Sequence, residues 1–597
     1  MSAFPHMGAL IADRLERHAD RPFLVVPARQ RTYTYADLAN LTGRARALLG
    51  DAGLARGDHA VMALRNSPEY LALLLASLQA GIRLLLVGAD YSASELEGAI
   101  EGLPVGRIFI DADLPADGRL PADGSLAVVP VAAGLPGLQA LSAPPPAGDG
   151  ADWAYVMCSS GSTGRPKRIA ISHRNMLAEL EAMIEAYGLA EGDRHLCVLP
   201  LFHASGLYRN VLIPFCQGGS TVLCEAFDQG AFWPLVAEHG IHFVQVVPSI
   251  LAVLADQEAG PDPRAGRSLK YIGSASAPLS PKLAERFEAR FGIPVVQGFG
   301  LTELTCGCTL NETEPSRRRL ASVGRPLRVN EVRVLDEAGR FLPVGQEGEV
   351  VVRGDNVMIG YLAADGQPLT PWADGWFHTH DLGYVDADGF VYLTGRKSDI
   401  INRGGHKISP VEVENVLMQH PGLRDVVVVG VPHAMLGEDA IACVVRNSGA
   451  DCGTVELLHF AQERLPAFKV PTSFQFHDKL PRTGPGKINR KKFAAAVAEA
   501  MAAEAAAATE GGAAAMDDGE VAARVRAIFA EVFALPPESV TDDLAQADLR
   551  AWDSLGTIRL VLALEESLPF RYDPGTAGPV RSVGELVALV RRCLAAR

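Results

Sequence analysis

The sequence has few of the features that mark a secreted, membrane-spanning or nucleic-acid-binding protein. Its nine cysteines are scattered over 597 residues without a Cys-x-x-Cys pair, which argues against a disulfide framework or a zinc site. No uncharged apolar run reaches the roughly 18 residues of a membrane span, and no secretory signal is evident. The net charge of −15 argues against the basic face of a nucleic-acid scaffold. We therefore expect a cytoplasmic protein in which Cys306 and Cys308 are small buried residues.

What is present is enough apolar material for several domains. Apolar residues make up 48% of the chain, and its length exceeds what one hydrophobic core accommodates. Over residues 1–396, helical patterns alternate with short β-branched runs such as 243–247 and 350–352, which predicts a large α/β domain with mixed sheets. Residues 397–493 predict a smaller α/β unit with a strand over 426–431.

The C-terminal fifth of the chain has a different composition. Residues 494–518 are rich in alanine and predict a marginal helix that grades into a flexible linker, with a packed helix as the alternative. Residues 519–597 predict an all-α, four-helix-type bundle, because apolar residues recur on one helix face. The first such stripe consists of Val521, Val525, Ile528, Phe529 and Val532. Ser554 precedes the second stripe, which consists of Leu555, Ile558, Val561 and Leu562.

A loop rich in glycine and hydroxyl residues is the strongest local signal of the first domain. It follows a strand-like run over 155–158 and precedes a helix that Ser172 caps. Glycines let backbone N–H groups converge on one point, and hydroxyls and a lysine add donors, so the loop suits a polyphosphate better than a flexible surface turn. It does not have the Walker spacing. The candidate phosphate-binding residues are Ser159, Ser160, Gly161, Ser162, Thr163, Gly164 and Lys167.

This loop resembles the signature of the adenylate-forming superfamily, which includes acyl-CoA synthetases, luciferases and the adenylation domains of nonribosomal peptide synthetases. Further segments match that superfamily in the same order, and the resemblance covers about residues 10–495. They are residues 297–303, 348–354, 360–361, 376–383, 395–399 and 481–487. The resemblance implies that ATP and Mg²⁺ convert a carboxylic acid into an acyl-adenylate, which a thiol then attacks.

The resemblance also implies roles for single residues around the nucleotide. Phe299 would pack on the adenine, Thr302 would contact the α-phosphate, and Glu303 would hold Mg²⁺ as a hard oxygen ligand. Asp381 would accept hydrogen bonds from the ribose hydroxyls. Arg396 would contact the ribose or a phosphate.

Two implied roles depend on a movement of the smaller unit. Lys487 would bridge the acid and the α-phosphate while negative charge builds up. Rotation would then remove Lys487 and present residues 403–407, whose glycines would let a pantetheine arm pass. Ser398 occupies the hinge position, where the family commonly has Asp or Lys, and it can still absorb a backbone change.

The sequence Trp-Asp-Ser-Leu around Ser554 resembles phosphopantetheine-bearing carrier domains. The resemblance implies a 4′-phosphopantetheine arm on Ser554, attached by a phosphopantetheinyl transferase. The arm would accept the acyl group and deliver it to a downstream enzyme of nonribosomal peptide or polyketide biosynthesis. Three alternatives remain open: a ligase that uses free CoA, an amino-acid-activating module, and an inactive nucleotide-binding scaffold.

Residues 201–207 resemble the family segment that lines the acid pocket. His203 is similar to the equivalent residue of acyl- and aryl-CoA ligases, and we count it among the catalytic candidates with Lys487, Thr302 and Glu303. A neutral imidazole cannot supply the fixed negative charge that an α-ammonium group needs, so we expect an acid without an α-amino group.

The candidate pocket residues are mostly apolar or small, which suits an aliphatic or aryl acid. They are His203, Leu207, Gln245, Val246, Gly298 and Cys306. Gln245 is a polar group that could recognise a hydroxyl or amide. Arg209 could pair with the second carboxylate of a diacid, although a solvated or salt-bridged arginine is the favoured interpretation.

Overall fold

In the computed structural model, the chain divides between Ser398 and Asp399. The first unit contains the described residues up to Ser398, and the second contains those from Asp399 onward. The division falls at the predicted hinge, whose motion stays a prediction. The structure describes residues 4–114, 120, 126–142, 152–159, 166–257, 268–363, 365–370, 372, 374–433, 436–447, 449–481, 488–511, 517–533, 535–549, 552, 554–568 and 580–595.

The strands of the first unit lie where the sequence has short β-branched runs, and they form three sheets. In chain order they are β1 (Pro22–Val26), β2 (Arg31–Thr34), β3 (His59–Ala63), β4 (Arg83–Leu86), β5 (Val105–Asp111), β6 (Ala127–Val131), β7 (Trp153–Ser159), β8 (Lys167–Ser172), β9 (Arg194–Cys197), β10 (Ser220–Leu223), β11 (Phe243–Val246), β12 (Tyr271–Ser274), β13 (Val295–Phe299), β14 (Thr309–Leu310), β15 (Arg325–Pro326), β16 (Asn330–Leu335), β17 (Gly348–Gly354), β18 (Gly360–Leu362), β19 (Pro368–Leu369), β20 (Phe377–Val385) and β21 (Val391–Arg396).

Helices cover these sheets, and their ends follow local sequence rules. They are α1 (Met7–Arg17), α2 (Tyr35–Asp51), α3 (Pro68–Ala80), α4 (Ala93–Ile100), α5 (His173–Tyr187), α6 (Ile213–Cys216), α7 (Phe232–His239), α8 (Pro248–Asp256) and α9 (Pro281–Phe291). The predicted cap of α5 is confirmed, because the Ser172 hydroxyl accepts a hydrogen bond from the backbone N–H of Asn175 at 3.0 Å. Gly188 ends this helix at a φ of 58°, which favours glycine.

The nine-stranded sheet has the order β15-β14-β13-β12-β11-β9-β10-β1-β2. Its six strands from β13 to β1 are parallel. Ligands bind outside the carboxyl ends of such strands. The eight-stranded sheet has the order β19-β18-β8-β7-β4-β3-β5-β6, and the four-stranded sheet has the order β16-β17-β20-β21. The expected large α/β domain with mixed sheets is therefore confirmed.

The second unit begins with a smaller α/β fold. Its strands are β22 (Ile401–Arg403), β23 (His406–Ile408), β24 (Leu423–His433), β25 (Gly437–Arg446) and β26 (Ser473–Phe476). Its helices are α10 (Pro410–Leu417) and α11 (Thr454–Gln462). Strand β24 pairs with β25 along its whole length and contains the predicted β-branched run over 426–431.

The alanine-rich segment is helical over most of its length. Helix α12 extends from Arg490 to Gly511. Phe493 and Val497 are buried against the apolar side chains of β24 and β25, and Arg490 forms an ion pair with Glu414 at 2.6 Å. The helix predicted at the start of residues 494–518 is therefore present, and its first turns are packed, as in the alternative interpretation. Two large apolar side chains and one ion pair supply the contacts that alanine lacks.

The described residues between 517 and 595 include three further helices. The helices described there are α13 (Asp518–Val532), α14 (Ser554–Ser567) and α15 (Val583–Ala595), and they share one apolar core with the indole of Trp552. The stripe on α13 is confirmed, whereas the buried residues of α14 include Leu560, Val561 and Leu564. The side chains of Leu555, Ile558 and Leu562 lie outside the described part. Among the helices described, none is long and apolar enough to cross a membrane.

Candidate active site

The predicted phosphate loop joins two antiparallel strands. Ser159 ends β7 and pairs with Lys167, the first residue of β8. The loop between them, with the candidates Ser160, Gly161, Ser162, Thr163 and Gly164, lies outside the described residues. Strand β8 was not predicted, because its apolar run over 169–171 is too short to show a period.

Glu303 is a buried carboxylate next to a tyrosine and a lysine. The Tyr361 hydroxyl donates a hydrogen bond to Oε1 of Glu303 at 2.9 Å, and Nζ of Lys167 lies 4.8 Å from the Tyr361 ring centroid. Burial raises the pKa of Tyr361, so this hydroxyl stays protonated and remains a donor. Sequence reasoning gave Tyr361 no role, although its Gly-Tyr pair belongs to a matching segment.

The backbone around Glu303 is held in a strained turn. Thr302 to Leu304 form one turn of 3₁₀ helix, and Thr305 follows with φ 64° and ψ −53°. This is a γ-turn, because the backbone N–H of Cys306 donates to the carbonyl of Leu304 at 2.7 Å. A positive φ is unfavourable for a β-branched residue, and such strain clusters at functional sites. The turn directly follows the Thr302–Glu303 pair.

Asp381 and Arg396 lie opposite each other on β20 and β21. Nε of Arg396 lies 3.0 Å from Oδ1 of Asp381, and the backbone N–H of Asp381 donates to the hydroxyl of Thr379 at 3.0 Å. The charge of Arg396 acts on Tyr361. The ribose candidate is therefore fixed in position and shares an electrostatic neighbourhood with the Glu303 site.

Sequence reasoning missed the buried carboxylate of Glu349 on β17. It accepts a hydrogen bond from Nζ of Lys397 at 2.7 Å. Nδ1 of His378 lies 3.2 Å from its Oε2, and Nδ1 of His380 lies 3.2 Å from its Oε1. Burial alone would raise the pKa of Glu349, but hydrogen bonds from Lys397 and His378 hold it below the usual value. Because Lys397 immediately precedes Ser398, this cluster fixes the last residues of the first unit.

Three of the acid-pocket candidates lie at the carboxyl ends of parallel strands. Gln245 and Val246 end β11, and Gly298 is the penultimate residue of β13. Leu207 lies on a π-helix, Ser205–Leu212, a rare element that is frequent at functional sites. These candidates and Cys306 are buried, as expected for the floor of a pocket. His203 lies just before the π-helix, with its ring centroid 4.2 Å from that of Phe202.

The amide of Gln245 contacts its own strand, β11, and the neighbouring strand, β12. Its Nε2 donates to the carbonyl of Val246 at 3.0 Å. Its Oε1 lies over Gly273, where an added Cβ would come within 2.2 Å of it. Within the described part of the chain, this oxygen has no hydrogen-bond partner. Gln245 therefore has one acceptor without a partner in this part of the chain, and a side chain at position 273 would displace its amide.

The arginine of the pocket segment differs from the favoured expectation. Arg209 is 2% exposed, so it is not solvated, and no carboxylate of the described residues lies within 4.0 Å of its nitrogens. Arg209 lies on the π-helix, and its guanidinium lies near Gly298 and forms a hydrogen bond with the Cys306 thiol.

The remaining candidates are placed less completely. Lys487 lies outside the described residues, and Ser554 is the first residue of α14, with its side chain outside the described part. Residues 403–407 form a hairpin turn between β22 and β23, in which Gly404 and Gly405 have φ values of 57° and 87°. Two positive φ values in succession favour glycine at both positions.

Comparison with known proteins identifies the enzyme class. Residues 11–362 match the family AMP-binding enzyme, and residues 412–487 match the AMP-binding enzyme C-terminal domain. The chain belongs to the AMP-binding enzyme family. A sulfoacetate–CoA ligase of Cupriavidus necator is 34% identical over 501 residues, which cover 82% of this chain and 97% of the relative. Both family matches end at or before residue 487, so the helices of residues 517–595 lie outside them.

Two further relatives agree with this assignment. A feruloyl-CoA synthase of an Amycolatopsis species is 34% identical, and the match covers 76% of this chain and 92% of the relative. The crystal structure of ATP-bound MatB from Rhodopseudomonas palustris has a TM-score of 0.77 at 28% identity, covering 83% of this chain and 99% of that one. The AMP-binding family protein is thus an ATP-dependent, AMP-forming acid–thiol ligase. The superfamily inferred from the motifs is confirmed, and a carrier domain is not shown by these matches.

Proposed function

We propose that this protein makes an acyl-CoA thioester in two steps. In the first step an oxygen of the acid attacks the α-phosphorus of ATP, the bond to the β-phosphate breaks, and pyrophosphate leaves. In the second step the CoA sulfur attacks the acyl carbon of the adenylate, loses its proton, and AMP leaves. Activation is needed because a free carboxylate is a very poor acyl donor.

The arrangement of Glu303, Tyr361 and Lys167 is the observation that carries this proposal. The contacts join a buried carboxylate, a protonated hydroxyl and a lysine next to the predicted phosphate loop. Asp381 and Arg396 add a ribose-binding pair in the same electrostatic neighbourhood. These groups provide what a nucleoside triphosphate needs, namely hydrogen-bond donors for its phosphates and acceptors for its ribose hydroxyls.

The residues present also fit Mg²⁺. In the described residues, no cluster of three His, Cys, Asp or Glu side chains forms a metal cage. Mg²⁺ in nucleotide enzymes is usually held by one or two carboxylates together with phosphate oxygens, and Glu303 supplies such a carboxylate. When bound, Mg²⁺ would neutralise phosphate charge during the displacement.

A second candidate differs only in the thiol. The observation that favours it is the helical core of residues 517–595, in which α14 begins at Ser554 directly after the segment of the buried Trp552. A phosphopantetheine arm on Ser554 would replace CoA as acceptor, with a phosphopantetheinyl transferase and a downstream acyl-accepting enzyme as partners. The relatives, which are named CoA ligases or synthases, favour free CoA as the first candidate.

The relatives leave the acid open, since sulfoacetate carries two anionic groups and ferulate carries one. The pocket candidates contain no aspartate or glutamate for an α-ammonium group. We therefore propose an acid without an α-amino group.

The decisive experiment measures ATP–pyrophosphate exchange with a panel of amino acids and acids that lack an α-amine, followed by assay of AMP release with CoA. Exchange with the second class and CoA-dependent release support the proposal. Exchange confined to amino acids, or none with any acid, contradicts it.

Intact mass separates the two thiols. A gain of about 340 Da on Ser554 after treatment with CoA and a phosphopantetheinyl transferase, followed by acylation of that arm, would favour the second candidate. A Ser554→Ala variant that keeps full acyl-CoA turnover would favour the first.

A further inference from the structure

Arg209 carries a buried positive charge that the described protein does not neutralise by an ion pair. Its side chain is 2% exposed. Its Nε has no hydrogen-bond partner among the described residues, and no described carboxylate lies within 4.0 Å of its nitrogens. A buried charge is costly unless it is paired, and a guanidinium prefers a planar anion that accepts two hydrogen bonds.

The nearest acid is poorly suited to pair with this arginine. The ionisable groups that act on Arg209 are Tyr187, Cys306, Glu179 and Cys308, and Glu179 is their only carboxyl group. Its Oε1 accepts the backbone N–H of Gly307 at 2.6 Å, and its Oε2 accepts Nδ2 of Asn356 at 2.7 Å. Burial raises the pKa of Glu179 to about 8, which disfavours a carboxylate at neutral pH.

Two glycines border the guanidinium. A Cβ on Gly298 would lie 3.7 Å from Nη2 of Arg209, and a Cβ on Gly307 would lie 3.2 Å from the same nitrogen. Gly298 is also a candidate for the acid pocket. A side chain at position 307 would press on the guanidinium and on the end of the Met183 side chain, whereas a Cβ at position 298 would make ordinary contact with it. The backbone therefore approaches this end of Arg209 closely.

We propose that Arg209 binds a second anionic group of the substrate, so that the acid activated is a dianion with a carboxylate or sulfonate besides the reacting carboxylate. This inference rests on the proposed function and specifies its substrate class. Arg209 is then a specificity-determining residue that holds the end of the acid that does not react. One anionic group of the substrate would explain both the unpaired Nε and the two flanking glycines.

The test compares acids that differ by the exchange of one methyl group for an anion. The pairs are propionate with malonate or sulfoacetate, butyrate with succinate, and pentanoate with glutarate, each assayed by pyrophosphate exchange. We expect the wild type to prefer the dianion in at least one pair by about 30-fold or more in kcat/KM, the effect of a desolvated charge pair. We expect Arg209→Gln to remove this preference mainly through KM.

Matched variants separate specificity from folding. Arg328→Gln removes an arginine that is 57% exposed and should leave the preference unchanged, whereas Arg209→Lys should retain part of it. A wild type that prefers the monoanion in every pair overturns the inference. An Arg209→Gln variant whose activity falls equally with both acids of a pair overturns it as well. If Arg209→Gln does not fold, the wild-type comparison decides. Exchange with monoanions alone contradicts only this inference, whereas no exchange with any acid contradicts the proposed function itself.

Discussion

The nucleotide side and the acid side of the candidate site treat charge in opposite ways. On the nucleotide side, Asp381 pairs with Arg396, and Glu349 pairs with Lys397. On the acid side, Arg209 and Glu179 are both buried without such a pair. Paired charges hold their side chains in one geometry before any ligand arrives, which lowers the cost of ordering them later. The difference indicates that the proposed ribose region is built in advance, whereas the proposed acid region keeps a charge for its ligand.

Glu303 belongs to the proposed nucleotide side, yet it has no ion pair among the described residues. Its replacement should have the largest effect on activity. Its only described polar side-chain contact is the hydroxyl of Tyr361, which leaves its charge available for the proposed Mg²⁺. Glu303→Gln keeps the shape but removes the charge. We expect pyrophosphate exchange to slow by about 10²–10³-fold, or roughly 3–4 kcal/mol in activation free energy.

The control for this variant is Tyr361→Phe, which removes the hydroxyl but leaves the carboxylate and should slow exchange by about tenfold or less. Thermal unfolding should show both variants folded. Equal rates for Glu303→Gln and wild type would show that this carboxylate does not hold the metal.

Glu179 tests whether the acid side lacks an internal ion pair. Burial raises its pKa to about 8, so the folded protein binds this proton more tightly than the unfolded chain does. The contribution to stability is therefore complete below the unfolded pKa of about 4.5 and is lost as the pH rises through 8. Glu179→Gln is neutral at every pH. Relative to wild type, it should gain about 2–4 kcal/mol in the free energy of unfolding between about pH 5 and pH 8.

The measurement is urea unfolding of both proteins at several pH values, with Glu181→Gln as the control on the same helix. A variant that becomes less stable than wild type as the pH rises would show that Glu179 is ionised and serves as the counter-ion of Arg209. That result would remove the contrast between the two sides.

Glu349 tests the opposite, paired case. Its pKa is held below the usual value, so its contribution to stability is present above the unfolded pKa and is lost as the pH falls through the folded value. Glu349→Gln should cost about 2 kcal/mol near neutral pH, because Lys397 and His378 lose a buried charged acceptor. The cost should shrink below about pH 4.

The pH dependence of urea unfolding checks this prediction, with the exposed Glu347→Gln as control. A constant cost at all pH values would show that the pairing has no electrostatic part. Because Lys397 precedes Ser398, the same variant should also slow the thiol step more than pyrophosphate exchange, if Ser398 is the hinge.

Local patterns predicted the fold better than they predicted the site. The β-branched runs of β11, β17 and β24 and the Ser172 cap depend on neighbours in sequence, and all of them formed as expected. Strand β8 was missed because three apolar residues show no period. The packing of α12 was only the alternative interpretation, yet two side chains, Phe493 and Val497, outweigh a run of alanine.

The contacts of the site depend on residues far apart in the chain. Glu349 on β17 contacts Lys397, which follows β21 of the same sheet. Tyr361 on β18 contacts Glu303, which follows β13 of a different sheet. The burial of Arg209 depends on a π-helix, for which the sequence has no distinct period. Motif resemblance therefore named candidate nucleotide residues, but it could not show which charges are paired.

His380 gives the smallest effect and separates backbone strain from side-chain contact on the paired side. It has a φ of 60°, a region that costs a residue with a Cβ about 1–2 kcal/mol and costs glycine almost nothing. Its backbone N–H and its ring both contact Glu349, and Asp381 follows it directly. His380→Ala removes the ring contact but keeps the strain, whereas His380→Gly removes both.

We expect His380→Gly to be more stable than His380→Ala by about 0.5–1 kcal/mol in urea unfolding, because the greater freedom of glycine in the unfolded chain offsets part of the relief. Both variants should raise the KM for ATP only slightly, since Arg396 still holds Asp381. Equal stabilities would mean that the turn at His380 relaxes without its ring. In that case, the contact between the His380 ring and Glu349 holds the strained backbone that positions Asp381. The paired side would then be fixed by side-chain contacts alone.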